Sequence, residues 1–358
     1  MTQKQDIKNL TVAALENFLE SLGQKGIHAK AIFTALHIDG VTDIALVADV
    51  PESVRCALVD AGCVISTLTI IEKLTDPDGT VKYLFATSGG FKFEAVLLGT
   101  TDKTVNRHTV CLSSQSGCKM GCTFCATSQI PMDHNLSAAE ICEQINLIAR
   151  DTEVNGKKGI VNNVVYMGMG EPMDNYANVI ASMNMLHHHC GHNIAPKHIT
   201  LSTCGVVSGI EQYASEPLQV NLAVSLHGSD NRTRKHMMPI TRKYPLEDLI
   251  VAVKAYQATT GKRVMFQYLM LNGVNDAVED AHRVVSLLDD MNAIVNLIEY
   301  NPHDSAAFIP SSRETIGLFR DILMKGNIET TVRYTRGLDV KGACGQLGAD
   351  WQQRNLIK

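Results

Sequence analysis

Cys111-Leu-Ser-Ser-Gln-Ser-Gly-Cys118-Lys-Met-Gly-Cys122-Thr-Phe-Cys125 is the stretch from which the rest of this chain can be read. Three thiols stand at C-x3-C-x2-C beside Gly117 and Gly121, with a fourth thiol upstream at Cys111. Glycine tolerates the positive φ of a tight turn, so such a loop can bring its thiolates to one metal centre. Three ligands do not close a tetrahedral zinc site, and fully ligated iron–sulfur clusters use four cysteines. The trio points to a cubane cluster with one iron left for a non-protein ligand. A structural zinc knot of Cys118, Cys122, Cys125 and a distant Cys or His is the alternative.

At 358 residues, 45% of them hydrophobic, the chain can bury a large core and carry a small appendage. Ten cysteines argue for a reducing compartment, where thiols serve metals or catalysis. The N-terminal Met-Thr-Gln-Lys-Gln-Asp has no export signal and no apolar run reaches bilayer length. A cytoplasmic protein without a membrane span is expected. The net charge of −5 does not mark a nucleic-acid binder, so any RNA contact must be local or rest on shape and stacking.

Residues 1–85 read as a small, mainly helical module. Leu15, Phe18, Leu19 and Leu22 recur at helical spacing before Gly23; a second helix is expected over 28–36, and Pro51-Glu52 opens a third. Seven Lys/Arg against eleven Asp/Glu make this module a poor phosphate grip. Two alternating runs, Val81–Ala86 and Phe91–Leu98, joined by Thr87-Ser-Gly-Gly, predict a hairpin. Strands then alternate with helices: 108–113, 161–167, 198–202, 220–225, 263–271, 294–299 and 329–334. Ser137-Ala-Ala-Glu140 is a capping box for the first helix, and Asp174 is placed to cap the next. Helices are also expected over 246–257 and 277–288. Such alternation means parallel strands with crossover helices, an open or closed β/α barrel.

Chemistry in such folds collects where strands end. Here the strands run into Gly168-Met-Gly170-Glu171-Pro172, Ser202-Thr-Cys-Gly, Ser225-Leu226-His227, Asn272-Gly-Val-Asn-Asp276 and Asn301-Pro302. Arg232, Arg234, Lys235, Arg242 and Lys243, with no acidic residue among them, form the best candidate phosphate surface. His187, His188, His189, Cys190 and His192 imitate a metal site but read better as a polar helix end. Past the last strand, Ala343-Cys344-Gly345-Gln346-Leu347 sets a thiol among small residues, where a substrate can reach it.

Together these strings resemble the radical S-adenosylmethionine (SAM) enzymes, and within them the RNA adenine methyltransferase branch, the RlmN/Cfr family. The resemblance is strong over about 85–350 and weak over 1–85. It implies an α/β fold: a partial (β/α)6-type radical SAM barrel (residues 86–350), a small mainly helical N-terminal domain (1–85), a linking β-hairpin and a tail (351–358). It implies a 4Fe–4S cluster on Cys118, Cys122 and Cys125, and SAM held by Gly170, Glu171, Ser202, Ser225, Leu226, His227 and Asn301. Two SAM molecules serve each turnover: one methylates Cys344, the other yields the radical that activates that methyl for addition to adenine. Cys111 then attacks the sulfur of Cys344, releasing methyladenosine and a disulfide. Glu94 resembles a family glutamate near the target base. Partners implied are 23S rRNA, with tRNA as a further candidate, and a flavodoxin-type electron donor, the protein acting as a monomer. Glu171-Pro172 favours carbon 2 of adenosine; Ala126-Thr127 resembles the carbon-8, antibiotic-resistance group, and Gln267 stands where carbon-2 enzymes often have Glu. A radical SAM enzyme with another substrate and a non-catalytic zinc-bound RNA-binding protein are the rival readings.

Overall fold

A computed structural model describes residues 4–99, 108–152, 161–304 and 306–350; the expected tail, 351–358, lies outside them. The chain begins with three short helices, α1 (Val12–Ser21), α2 (Ala29–Thr34) and α3 (Glu52–Asp60). Thr11 caps α1 by accepting from Ala14 N at 3.3 Å, Leu15 and Leu19 are buried, and Gly23 ends the turn at φ 73°.

Ten strands then form one sheet in chain order: β1 (Leu68–Thr75), β2 (Val81–Thr87), β3 (Lys92–Leu98), β4 (Thr109–Cys111), β5 (Asn163–Tyr166), β6 (Ile199–Thr203), β7 (Asn221–Ser225), β8 (Val264–Met270), β9 (Ala293–Glu299) and β10 (Glu329–Arg333). Pairings from β1 to β4 are antiparallel and those from β4 to β10 parallel. The connections carry α4 (Ala138–Asp151), α5 (Tyr176–His187), α6 (Val207–Tyr213), α7 (Asn231–Met237), α8 (Leu246–Thr260), α9 (Val278–Leu288) and α10 (Arg313–Lys325). β1 and β10 are the two ends of the sheet, so it is open.

Every predicted strand is present, and so is the hairpin. β1 is an addition that the residue pattern does not announce: its exposure alternates residue by residue, but Ile71 falls on the outward face and Glu72 on the inward one, so its residue types do not alternate as apolar-in, polar-out. The Ser137/Glu140 capping box closes in both directions, at 3.2 and 2.8 Å. Asp174 does not cap α5. That position belongs to Asn175, whose Nδ2 bonds Ser114 O and Leu136 O at 2.8 and 2.7 Å. Asp174 is drawn instead to Gln115 Nε2 and Lys119, at 2.8 and 2.7 Å.

One apolar core runs through the molecule, from Leu15 and Phe33 in the helical module to Phe319 and Leu323 on α10. The module is locked onto α4 by a buried ion pair, Lys8 Nζ to Glu143 Oε2 at 2.5 Å, and by Asn9 Oδ1, which accepts from Ala139 N at 2.8 Å. A pair this dry adds little net stability, but removing one partner strands the other's charge. Among the described residues no helix is long and apolar enough to cross a membrane.

Candidate active site

The parallel strands end around one cavity. Its wall includes Cys118, Cys122, Phe124 and Cys125 from the loop after β4, and Gly168, Gly170, Glu171 and Pro172 from the loop after β5. Ser202 and Cys204 come from β6, Ser225 and His227 from β7, Gln267 from β8, and Arg333, Cys344 and Gly345 from β10 and beyond. Gly168 has to be glycine, since a Cβ there would lie 2.6 Å from Ser113 Oγ and 2.7 Å from Leu112 O. At Gly170, φ is 97° and a Cβ would meet Gln115 Cβ at 2.6 Å.

Glu171 is fully enclosed and held before any ligand arrives. Oε1 accepts from Met173 N at 3.0 Å, and Oε2 from Cys204 N at 2.7 Å. Burial raises its pKa, opposed by these donors. A carboxylate fixed beside two glycines suits an ammonium group. His227 is buried at φ 52°, a strained value for a non-glycine residue. Its Nδ1 accepts from Leu269 N at 3.0 Å, and Asn275 clasps its carbonyl at 2.7 Å. Burial, with Arg234 nearby, lowers its pKa to about 3, so the ring stays neutral with the proton on Nε2.

The cluster loop fits a polynuclear centre better than one zinc ion. Tetrahedral thiolates on a single zinc stand about 3.8 Å apart, given Zn–S bonds near 2.3 Å. The Cys118, Cys122 and Cys125 sulfurs face one cavity but do not fall within 4.8 Å of one another, whereas His188, His189 and Cys190 do. That second trio is engaged otherwise: His188 Nδ1 accepts from Cys190 N at 3.1 Å and its ring stacks on His189. It closes the polar end of α5, as the sequence implied. Burial pushes the Cys118 thiol up to about 12 and raises Cys122 and Cys125 as well, so these ligands need a cation to hold them as thiolates.

Cys344 sits at the tip of a loop over this cavity, reachable from it yet walled closely enough that burial raises its thiol pKa. Ala126 N bonds Gly345 O at 2.8 Å, Thr127 Oγ1 bonds Leu347 O at 2.9 Å, and Asn301 Nδ2 bonds Cys344 O at 3.3 Å. Cys111 lies buried behind the cavity wall, its pKa raised first by burial and then by the neighbouring Cys344. Arg333 opposes the rise at both thiols.

The β1–β3 layer frames the same loop. In the turn between β1 and β2, Asp76 Oδ1 accepts from Asp78 N and Asp78 Oδ1 from Thr80 N, at 3.0 and 2.8 Å. Their second oxygens reach across to Asp339 N and Gly337 N, both at 2.9 Å. On the other arm Glu94 Oε2 accepts from Gly348 N at 2.8 Å, with Lys82 3.3 Å from Oε1.

Of the expected site residues, Gly170, Glu171, Ser202, Ser225, His227, Cys344 and the three cluster cysteines share the cavity wall. Leu226 packs in the core, its backbone N donating to Gln267 O at 2.9 Å. Asn301 holds the Cys344 loop rather than the cavity wall. Glu94 is also outside that wall, buried in the loop frame. Arg234 leaves the expected basic surface altogether: it is fully buried, bonding Cys204 O at 2.6 Å and Thr241 Oγ1 at 2.7 Å. Arg333 and Gln115 join the site without a sequence signal of their own. Gln115, which accepts from Glu171 N at 2.9 Å, lies within the quoted motif, and only its packing reveals the role.

The Radical SAM superfamily matches residues 112–285. A probable dual-specificity RNA methyltransferase RlmN of Moorella thermoacetica is 39% identical, covering 97% of this chain and 98% of its own length. The chain belongs to the RlmN family of radical SAM RNA methyltransferases. An RlmN of Syntrophobacter fumaroxidans is 36% identical over 96% of this chain and 98% of that protein. The crystal structure of a radical SAM methyltransferase from Sphaerobacter thermophilus superposes with a TM-score of 0.87 at 38% identity, covering 96% of this chain and 99% of that one. Membership of this family carries a 4Fe–4S cluster and SAM with it, and the cavity's donors fit both.

Proposed function

We propose that this enzyme methylates carbon 2 of an adenosine in the peptidyl-transferase region of 23S rRNA, and an adenosine of tRNA, with Cys344 carrying the methyl group. What supports the reading is the placement of Cys344 on the wall that also carries Cys118, Cys122 and Cys125, with Cys111 directly behind. Bound at those three cysteines, a 4Fe–4S cluster supplies the electron that cleaves SAM. Glu171 orients the SAM ammonium, and Ser202, Ser225 and neutral His227 line the remainder of its seat. Cys344 takes a methyl from SAM as a thiolate, Arg333 favouring its ionised form. Cys111 displaces Cys344 from the finished adduct, so the two thiols leave as a disulfide and must be reduced before the next turnover. Glu171-Pro172 favours carbon 2 over carbon 8.

We place the reaction in the cytoplasm, in a monomer served by a flavodoxin-type donor, with RNA phosphates on Arg232, Lys235, Arg242 and Lys243. Mapping methylated nucleotides in rRNA and tRNA from cells with and without the gene tests the assignment. 2-Methyladenosine lost from both RNAs is the expected result; 8-methyladenosine, or no change, overturns it.

A further inference from the structure

Arg234 on α7 is fully buried, and among the described residues no carboxylate is ion-paired with it. Neutral oxygens hold the guanidinium instead. Nη2 donates to Cys204 O and Ser225 O at 2.6 and 3.3 Å, Nη1 donates to Thr241 Oγ1 at 2.7 Å, and Nε has no partner. The backbone makes room for this side chain: a Cβ at Gly205, where φ is 102°, would lie 2.7 Å from Nη2, and one at Gly228 would lie 3.1 Å from the Arg234 Cβ. A buried charge without a counter-charge is strongly unfavourable, so this guanidinium calls for an anion. The thiols within its electrostatic reach are those of Cys204 and Cys122, and Cys122 is one of the three cluster cysteines. Its helix is also tied to the cluster loop, through Thr123 N donating to Met237 O at 2.9 Å.

We infer that Arg234 is the fixed counter-charge of the iron–sulfur cluster, a positioning residue that acts through Cys122 and sets how readily the cluster is reduced. Three thiolates on an oxidised cubane core leave a net negative charge, and the incoming electron adds to it. A cation held in a dry site beside that core therefore stabilises the reduced form more than the oxidised one. Guanidinium suits the place because it keeps its charge and meets carbonyl oxygens with several donors at once. The inference rests on the cluster being seated at Cys118, Cys122 and Cys125, and adds to that reading the group that tunes it.

The test uses full-length, cluster-loaded protein under anaerobic conditions. A redox titration without SAM, followed by electron paramagnetic resonance, gives the midpoint potential, and equilibrium dialysis gives the SAM Kd. Arg234→Gln removes the charge and keeps an amide donor for Cys204 O. It is expected to lower the equilibrium constant for reduction about tenfold, a potential about 59 mV more negative for one electron. Thr241→Asp leaves the arginine in place and neutralises it with a carboxylate, and is expected to move the potential the same way. Arg234→Lys, which keeps the charge, is expected to hold the wild-type potential. Wild-type potentials in both Arg234→Gln and Thr241→Asp overturn the inference; a raised SAM Kd alongside them gives the charge to the SAM carboxylate instead. A folded Arg234→Gln protein that no longer takes up iron supports it, whereas loss of the fold in both Arg234→Gln and Arg234→Lys shows a packing role and overturns it. A wild-type protein that takes up no cluster would sink the cluster seat itself.

Discussion

The thiols of Cys111 and Cys344, far apart in the chain, lie within electrostatic reach of one another: a charge on Cys344 raises the pKa of Cys111. Two sulfurs so placed can be exchanged for one disulfide, and each has a different loss when removed. Cys344→Ala is expected to abolish RNA methylation, roughly a thousandfold or more, while cluster content and SAM binding stay as in the wild type. Cys111→Ala is expected to stall later, leaving protein covalently joined to RNA. Mass spectrometry of Cys344 after SAM treatment and denaturing gels of the RNA-treated variants read the two outcomes. An S-methyl group absent from Cys344 in the wild type would count against the methyl-carrier role.

Glu94→Ala addresses the loop frame. The Lys82 and Glu94 side chains are 3% and 4% exposed, so truncating the glutamate leaves a buried ammonium whose next carboxylate, on Asp350, is 3.9 Å away. A loss of about 3 kcal/mol is expected, measured by urea unfolding of the cluster-loaded protein. An unchanged unfolding midpoint would show that Lys82 finds another partner at no cost.

Much of the site was legible because backbone requirements leave their mark on residue type. Gly168 and Gly170 stand where a Cβ would collide, and Cys118, Cys122 and Cys125 lie on the loop that carries the chain from β4 into the cavity wall. What stayed hidden depends on distant partners. Nothing local to Asp76 and Asp78 says that their outer oxygens seat a loop some 260 residues on. Arg234 resembles its basic neighbours in sequence, and only folding puts Cys204 O and Thr241 around its guanidinium. Asn301 and Glu94 stand out in the sequence through the family resemblance, but the structure ties both to the Cys344 loop.

With Arg234 buried, the candidate RNA surface reduces to Arg232, Lys235, Arg242 and Lys243. Replacing these four with serine is expected to weaken RNA binding and to flatten its salt dependence, by about 0.7 in log–log slope for each phosphate no longer neutralised. SAM binding should stay as it was. Filter binding between low and moderate salt measures it; an unchanged slope places the RNA elsewhere.

His37 makes the protein sensitive to acid. It is 2% exposed, and burial, with Lys8 and His192 nearby, lowers its pKa to about 3 against the opposing contact with the Lys8 backbone. Facing it are the Lys8–Glu143 pair and the ring of Phe33, 4.3 Å away. Because the folded pKa is below the unfolded one, the unfolded chain binds the extra proton, and stability falls as pH drops from about 6.5 toward 3. By pH 5 the loss reaches about 2 kcal/mol. His37→Leu should flatten that part of the curve of unfolding free energy against pH. A wild-type curve already flat from about pH 6.5 to 5 would contradict it.

The bonds from Asp76 and Asp78 to Asp339 and Gly337 also set an order of events during synthesis. Cys125 leaves the ribosome some two hundred residues before Cys344 does, roughly ten to forty seconds at ordinary elongation rates. Throughout that interval the strap bearing Cys344 does not yet exist, and the turn that will receive it waits with two carboxylate oxygens in water. The cluster cysteines are therefore made well before the segment that covers their cavity.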